Sequence, residues 1–199
     1  MRRHGRLIGL ISPAAVAVVG NTRMSKMSKG IFDTLDMRAG TRVPALFLCL
    51  MYNTGMKYIS KSLEETNKVA KDFLEPIYPI GESYVVALEG NLGAGKTAFA
   101  QEVGKILGVV ENMHSPTFVI EKIYQIDFRN FKRLIHIDAY RLEKESELLH
   151  LGWAELIKEP ENLILIEWPE NVAKIIPKNA RRIYFKFIDE NTREISYER

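Results

Sequence analysis

The chain has 199 residues, enough for one well-buried domain with little left for a second. Its single cysteine, Cys49, excludes an internal disulfide framework, and the formal net charge of +3 is too small to indicate nucleic-acid binding by itself. The apolar stretches near the N-terminus are interrupted by proline or are shorter than the roughly 20 residues that a membrane helix needs. We therefore expect a cytoplasmic protein that has no membrane partner.

Residues 1–55 are predicted to be a basic N-terminal extension that is disordered or not native, lying upstream of the true start. Residues 1–56 hold eight Lys or Arg against two Asp or Glu, a net charge of +6, whereas the rest of the chain carries −3. The segment has no regular helical or strand period. Its arginine-rich, acid-poor composition also fits a targeting peptide, and that alternative stays open. A single domain is expected at residues 56–199.

Regular patterning begins at Met56 and alternates between helices and strands. Ser62 and Glu65 have capping-box spacing at the start of the first helix. The pattern predicts helices at residues 62–74, 97–108 and 143–158, strands at residues 84–89, 133–140 and 162–168, and a further strand that begins after Pro116. The tail at residues 180–199 alternates around "DEN" and predicts an antiparallel hairpin. This order predicts an α/β fold with a mainly parallel central sheet flanked by helices and a C-terminal antiparallel hairpin.

The stretch "GNLGAGKT" matches the phosphate-binding pattern G-x-x-x-x-G-K-[ST] without a gap. Its residues are Gly90, Asn91, Leu92, Gly93, Ala94, Gly95, Lys96 and Thr97. Glycines let backbone N–H groups turn inward around phosphate oxygens, and the helix that follows presents its positive N-terminal end to them. Lys96 would reach the β- and γ-phosphates, and the Thr97 hydroxyl would bind Mg²⁺. Because the motif lies between a predicted strand and an amphipathic helix, we expect a P-loop NTPase-like domain.

Two acidic residues follow buried strands and are candidates for metal binding and catalysis. Glu167 ends the apolar run "LILIE", and Asp138 ends "LIHID". In parallel α/β sheets, ligands collect beyond the C-terminal ends of the strands, so both carboxylates are expected to face the site of Lys96 and Thr97. The alternative role for each carboxylate is to cap a helix or a turn.

The roles of the loop "HSPTF", of His136 and of Trp168 stay open between two interpretations each. Ser115 and Thr117 would supply hydroxyls to the γ-phosphate or the metal, or they belong to a plain loop. His136 shares the strand face of Asp138, where it either orients a site residue or is a core histidine with satisfied hydrogen bonds; the second interpretation is favoured. Trp168 is interpreted as a packing or partner-surface residue.

Taken together, "GNLGAGKT", "SPTF", "HIDAYRL" and "LIEWPE" resemble the TsaE family in order and spacing. The resemblance covers Met56 to the C-terminus, and its last two motifs are more discriminating than the P-loop. TsaE proteins are small P-loop ATPases of bacterial tRNA threonylcarbamoyladenosine biosynthesis. The resemblance implies an ATPase that acts with the TsaB–TsaD heteromer, which transfers the threonylcarbamoyl group to the adenosine beside the anticodon. ATP hydrolysis would reset that complex between turnovers, and tRNA would be contacted only through it.

The same resemblance implies a role for each site residue. Residues 90–97 would hold the phosphates of ATP, and Thr97 and Glu167 would hold Mg²⁺. Lys96, Asp138 and Thr117 would be catalytic. Asp138 would act near the γ-phosphate and the attacking water, as a base or as an organiser of the metal site, and Thr117 would be the sensor.

Three further residues complete the resemblance or depart from it. Arg193 in the tail hairpin matches a nucleotide-contacting arginine, and Thr66 would approach the nucleotide base. Asn91 departs from the family, which often has aspartate at that position. Since no arginine finger is evident in the core, basal hydrolysis is expected to be slow until a partner completes the site.

Two other classes of protein use the same loop. A small-molecule P-loop kinase would add an arginine-rich lid and an acceptor pocket, but only one predicted helix and a short turn separate Arg141 from Glu167. A non-catalytic, nucleotide-gated binding module would use Asp138 and Glu167 merely as caps.

Overall fold

The structure is a computed structural model and describes residues 55–79 and 81–198. These residues form seven strands and four α-helices, numbered here in chain order. The strands are β1 (Met56–Ser60), β2 (Tyr84–Glu89), β3 (Glu121–Phe128), β4 (Phe131–Asp138), β5 (Asn162–Glu167), β6 (Arg181–Phe187) and β7 (Arg193–Tyr197). The helices are α1 (Leu63–Leu74), α2 (Lys96–Ile106), α3 (Glu145–His150) and α4 (Trp153–Leu156), and a 3₁₀ segment spans Pro169–Ile175.

All the strands form one sheet, in the order β1-β7-β6-β2-β5-β4-β3. The four neighbours β6, β2, β5 and β4 pair in parallel, and this is the central sheet predicted from the sequence. Antiparallel pairs complete both edges, because β7 pairs with β6 and β1, and β3 pairs with β4. The predicted α/β fold and its C-terminal hairpin are confirmed.

Helices cover both faces of the central strands. Because side chains alternate along a strand, Leu88 and Leu165 pack in the core beneath α1 and α2, whereas Ala87 and Ile166 pack in the core beneath α3, α4 and the 3₁₀ segment. The first face is also the one that carries Asp138 and Glu167, which stand opposite each other in the β4–β5 register and share the side of Leu88.

The predicted helix at residues 143–158 is wrong as a single element. The structure breaks it into α3 and α4 at Gly152, whose φ of +85° does not occur inside an α-helix. Leu148 and Trp153 are both fully buried in the same core. In one continuous helix, residues five apart would point about 140° away from each other, so the break is what lets both side chains face inward.

The start of the patterned chain differs from the prediction in two further ways. Ser62 caps α1 as expected, since its hydroxyl accepts from the backbone N–H of Glu65 at 3.2 Å. The Glu65 carboxylate instead accepts from the backbone N–H of Lys61 at 2.6 Å, so the capping box closes one residue earlier than predicted. Strand β1 was not predicted at all, and it joins the first residues of the patterned chain to the tail hairpin.

Two predictions remain, one about the N-terminal extension and one about membrane helices. The predicted extension lies outside the described residues, apart from Gly55, and the boundary of the domain at residue 56 stays a prediction. Within residues 55–79 and 81–198, no helix is long and apolar enough to cross a membrane.

Candidate functional site

The loop of residues 90–95 joins the end of β2 to the start of α2, in the middle of the sheet, and Lys96 and Thr97 are the first residues of that helix. Gly90, Gly93 and Gly95 have φ angles of +147°, +74° and +103°, which side chains disfavour. At Gly90 a Cβ would also lie 2.4 Å from the carbonyl oxygen of Phe185 on β6. The loop therefore curls over the C-terminal end of β2 with its backbone packed against the neighbouring strand.

Lys96 is folded back into this loop. Its ammonium donates to the carbonyl oxygens of Gly90 at 2.6 Å and Asn91 at 3.1 Å, and only 4% of the residue is exposed. Burial lowers the pKa of Lys96, although the negative charges of Glu167, Glu170 and Asp138 oppose the shift. The loop thus surrounds a cation in the position where the motif predicts contact with phosphates.

Glu167 and Asp138 lie side by side at the C-terminal ends of β5 and β4, as predicted. They are 2% and 3% exposed. The Thr97 hydroxyl donates to Oε2 of Glu167 at 2.9 Å, so the first turn of α2 touches the end of β5. The two residues expected to hold a metal are therefore in direct contact.

The other oxygen of Glu167 contacts His136 in β4. The distance between His136 Nε2 and Glu167 Oε1 is 2.9 Å, and the histidine is fully buried. Its Nδ1 has no hydrogen-bond partner among the described residues. His136 is therefore not the satisfied core histidine that the sequence interpretation favoured.

The loop "HSPTF" is tied to Asp138. The hydroxyls of Ser115 and Thr117 both donate to Oδ2 of Asp138, the first at 2.9 Å. The other oxygen, Oδ1, accepts from the backbone N–H of Tyr140 at 3.0 Å. Asp138, the last residue of β4, thus connects this loop to the end of the strand.

Arg193 connects the tail hairpin to the phosphate loop. Its Nε donates to the carbonyl oxygen of Gly93 at 3.1 Å, and one terminal nitrogen donates to the carbonyl oxygens of Asp189 at 2.6 Å and Thr192 at 3.0 Å. Beside it is a cavity of about 240 Å³, and Thr66 and Asn191 are among the residues that line it. This is the neighbourhood in which the resemblance expected Arg193 and Thr66.

Sequence reasoning missed the contribution of Trp168. It follows Glu167 directly and has φ +58° and ψ +46°, a left-handed conformation that is rare outside glycine. Its ring centroid lies 3.7 Å from Nζ of Lys96 and 5.0 Å from the ring centroid of Tyr140. Its position one residue after a predicted site carboxylate was the available signal. The interpretation as a packing residue overlooked the contact with Lys96.

The family model for the threonylcarbamoyl adenosine biosynthesis protein TsaE matches residues 60–195. The chain belongs to the TsaE family. Among curated TsaE proteins, it is 37% identical to that of Rickettsia felis over 65% of this chain and 72% of the relative, and 34% identical to that of Bacillus subtilis over 71% and 84%. The TsaE protein of Treponema pallidum is 31% identical over 71% of this chain and 98% of the relative.

A solved structure has the same fold. The crystal structure of Bacillus subtilis YdiB superposes with a TM-score of 0.58 at 29% sequence identity, covering 73% of this chain and 85% of that one. The match covers most of both chains, so the architecture described above is shared with a solved structure.

The side chains of this TsaE-family site fit a magnesium nucleotide. Mg²⁺ is usually held by one or two protein oxygens together with phosphates and waters, rather than by a cage of side chains. The Thr97 hydroxyl and the Glu167 carboxylate supply such a pair at 2.9 Å. Among the described residues there is no cluster of three or more His, Cys, Asp or Glu that could hold a metal, so a metal here would take its remaining ligands from a nucleotide and solvent. The roles of the individual residues stay predictions.

Proposed function

We propose that this chain is a Mg²⁺-dependent ATPase that supports the formation of threonylcarbamoyladenosine beside the anticodon of tRNA. Membership of the TsaE family supports the role in tRNA modification. The observation that supports ATP as its ligand is the convergence of Lys96, Thr97 and Glu167 at the loop between β2 and α2. We further propose that it acts in the cytoplasm with TsaB and TsaD, and that tRNA is contacted through that complex.

The chain's own groups would bind and orient the nucleotide. The backbone N–H groups of residues 90–97 and the Lys96 ammonium would bind the phosphates. The carbonyl oxygens of Gly90 and Asn91 engage two of the three N–H donors of that ammonium, which leaves the third for a phosphate oxygen. Thr97 and Glu167 would hold Mg²⁺, which neutralises charge on the phosphates when it is bound. The cavity between Thr66 and Arg193 would receive the part of the nucleotide that extends away from the phosphates.

Asp138 would organise the loop that senses the γ-phosphate. Its two oxygens already accept hydrogen bonds from Ser115, Thr117 and the N–H of Tyr140. Three of the roughly four acceptor sites of this carboxylate are thus taken by the loop and by the end of β4, which are the contacts of a residue that organises the loop. We therefore propose that Asp138 holds Thr117 in place for contact with the γ-phosphate, and that hydrolysis is slow until a partner completes the site.

Phosphate release from Mg-ATP tests this proposal. The native chain, Lys96→Ala and Glu167→Ala are compared with and without TsaB–TsaD, and Lys105→Ala serves as a control because Lys105 lies on the same helix α2 but pairs with Glu102. We expect release by the native chain and the control, stimulated by TsaB–TsaD, and loss of release in both site variants. Unchanged release in the site variants would overturn the site. Transfer of phosphate to a small acceptor without partners would indicate a kinase.

A further inference from the structure

We infer that His136 is a positioning residue, which holds the Glu167 carboxylate in the orientation that Mg²⁺ requires. The inference rests on the proposed function, because it concerns the metal site proposed there. Two observations carry it: the two oxygens of Glu167 have different partners, and the buried position of the His136 imidazole has no other explanation.

The two oxygens of Glu167 are divided between two neighbours. Oε2 accepts from the Thr97 hydroxyl at 2.9 Å, and Oε1 lies 2.9 Å from His136 Nε2. An ionised carboxylate only accepts hydrogen bonds, so Nε2 of His136 carries the hydrogen of this contact. With Oε1 held from the side of β4, the carboxylate plane is fixed and Oε2 is left to face α2.

The surroundings of His136 do not favour an imidazole for packing. The neighbouring positions on the same sheet face, Leu134 and Leu165, are fully buried leucines. His136 is equally buried, yet its Nδ1 has no partner among the described residues. A buried nitrogen without a hydrogen bond destabilises the folded chain, and a leucine at this position would avoid that loss. The hydrogen bond to Glu167 is therefore the contact that explains the histidine.

Loss of this donor would leave Oε1 of Glu167 buried without a partner. The carboxylate would then be held by the Thr97 hydroxyl alone, and its plane would be free to turn about that one bond. Outer partners that orient metal ligands typically change metal affinity by about 10–100-fold when removed. The nucleotide contacts of residues 90–97 do not involve His136, so binding of nucleotide without metal is expected to stay the same.

The test measures Mg²⁺ affinity rather than activity. Mg²⁺ is titrated by calorimetry into the full chain saturated with a non-hydrolysable ATP analogue, and the affinity for the analogue alone is measured in EDTA. His136→Leu removes the donor, while His136→Gln keeps an N–H at a similar reach. Leu134→Ala, two residues earlier in β4, is the control for loosening of the strand. If His136→Leu does not fold, His136→Asn replaces it, because its donor is too short to reach Glu167.

We expect His136→Leu to bind Mg²⁺ about 10–100-fold more weakly, with analogue affinity in EDTA unchanged. His136→Gln should keep nearly native Mg²⁺ affinity, and Leu134→Ala should lower the melting temperature without changing Mg²⁺ affinity. Native Mg²⁺ affinity in His136→Leu would overturn the inference. So would an equal loss in His136→Gln or in Leu134→Ala.

A variant of Glu167 separates this inference from the proposed function. Glu167→Gln should lose Mg²⁺ affinity if Glu167 binds the metal. If Glu167→Gln loses it and His136→Leu does not, the metal site stands and the role of His136 is wrong. If Glu167→Gln binds Mg²⁺ as the native chain does, the proposed metal site is wrong and the role of His136 is wrong with it.

Discussion

Replacing Gly90 by alanine tests whether the phosphate loop is packed against strand β6 as the structure has it. Gly90 has a φ of +147°, and a Cβ on it would lie 2.4 Å from the carbonyl oxygen of Phe185. That oxygen belongs to the backbone of the strand that pairs with β2. The overlap cannot be relieved by turning a side chain, so the ends of β2 and β6 must move apart.

Two effects add up in the Gly90→Ala variant. A non-glycine residue held in such a sparsely populated region of backbone space costs about 1–3 kcal/mol. An extra methyl group in a packed interior costs about 1–3 kcal/mol. For a chain of this size, each kcal/mol lowers the melting temperature by about 2–4 °C, so the combined loss of about 2–6 kcal/mol corresponds to a fall of about 4–24 °C.

Gly108→Ala is the matched control. Gly108 also has a positive φ, +81°, but a Cβ there would meet no atom of the described residues within 4 Å. This variant should therefore show only the conformational loss of about 1–2 kcal/mol. Thermal unfolding followed by circular dichroism compares the two. If Gly90→Ala is no less stable than Gly108→Ala, the close packing of the loop on β6 is wrong.

Three other substitutions test separate contacts. Lys96→Met should abolish nucleotide binding, yet the ligand-free variant should melt at or above the native temperature, because burial lowers the pKa of Lys96 and the fold therefore disfavours its charge. Between that lowered pKa and 10.5, the folded native chain binds fewer protons than the unfolded chain, so the stability of the native chain rises with pH. Thermal unfolding scans should therefore show the difference in melting temperature between Lys96→Met and the native chain narrowing as the pH rises through this range. A difference that widens with pH would contradict the burial of the Lys96 charge. Arg193→Met removes charged hydrogen bonds that hold the tail hairpin to the phosphate loop, and it should destabilise the chain by about 1.5–3 kcal/mol in denaturant titrations. It should also weaken ATP binding in calorimetry, while Arg181→Met, in the same hairpin, should leave ATP binding unchanged because its bond goes to the Tyr84 hydroxyl. Arg129→Met should destabilise the chain by about 1.5–3 kcal/mol in denaturant titrations, because the guanidinium donates to the carbonyl oxygens of Leu74, at the end of α1, and of Ile77, beyond it; unchanged stability would show that these bonds contribute nothing.

The central sheet and the phosphate loop could be predicted because their signals are local. The loop motif lies within eight residues, and each of the two carboxylates ends an apolar run of its own. The rule that ligands collect at the C-terminal ends of parallel strands then brings Asp138 and Glu167 together without knowledge of the register. The structure has them opposite each other in β4 and β5.

The features that were missed depend on contacts between distant parts of the chain. Strand β1 is five residues long and pairs with β7 at the other end of the described chain, so no local pattern identifies it. The bond from His136 to Glu167 requires the exact pairing of β4 with β5, and the contact of Trp168 with Lys96 requires a left-handed backbone at a tryptophan. The helix at residues 143–158 was predicted as continuous because its apolar period hides the turn at Gly152.

The most direct test of the central claim is reconstituted tRNA modification. Threonylcarbamoyladenosine is measured by mass spectrometry after tRNA is incubated with TsaB–TsaD, ATP, a threonylcarbamoyl donor, and either the native chain, Lys96→Ala or no addition. We predict many modified tRNAs per TsaB–TsaD complex with the native chain, and about one per complex with Lys96→Ala or without the chain. Equal modification in all three reactions would contradict the proposal that nucleotide turnover at this site supports the modification.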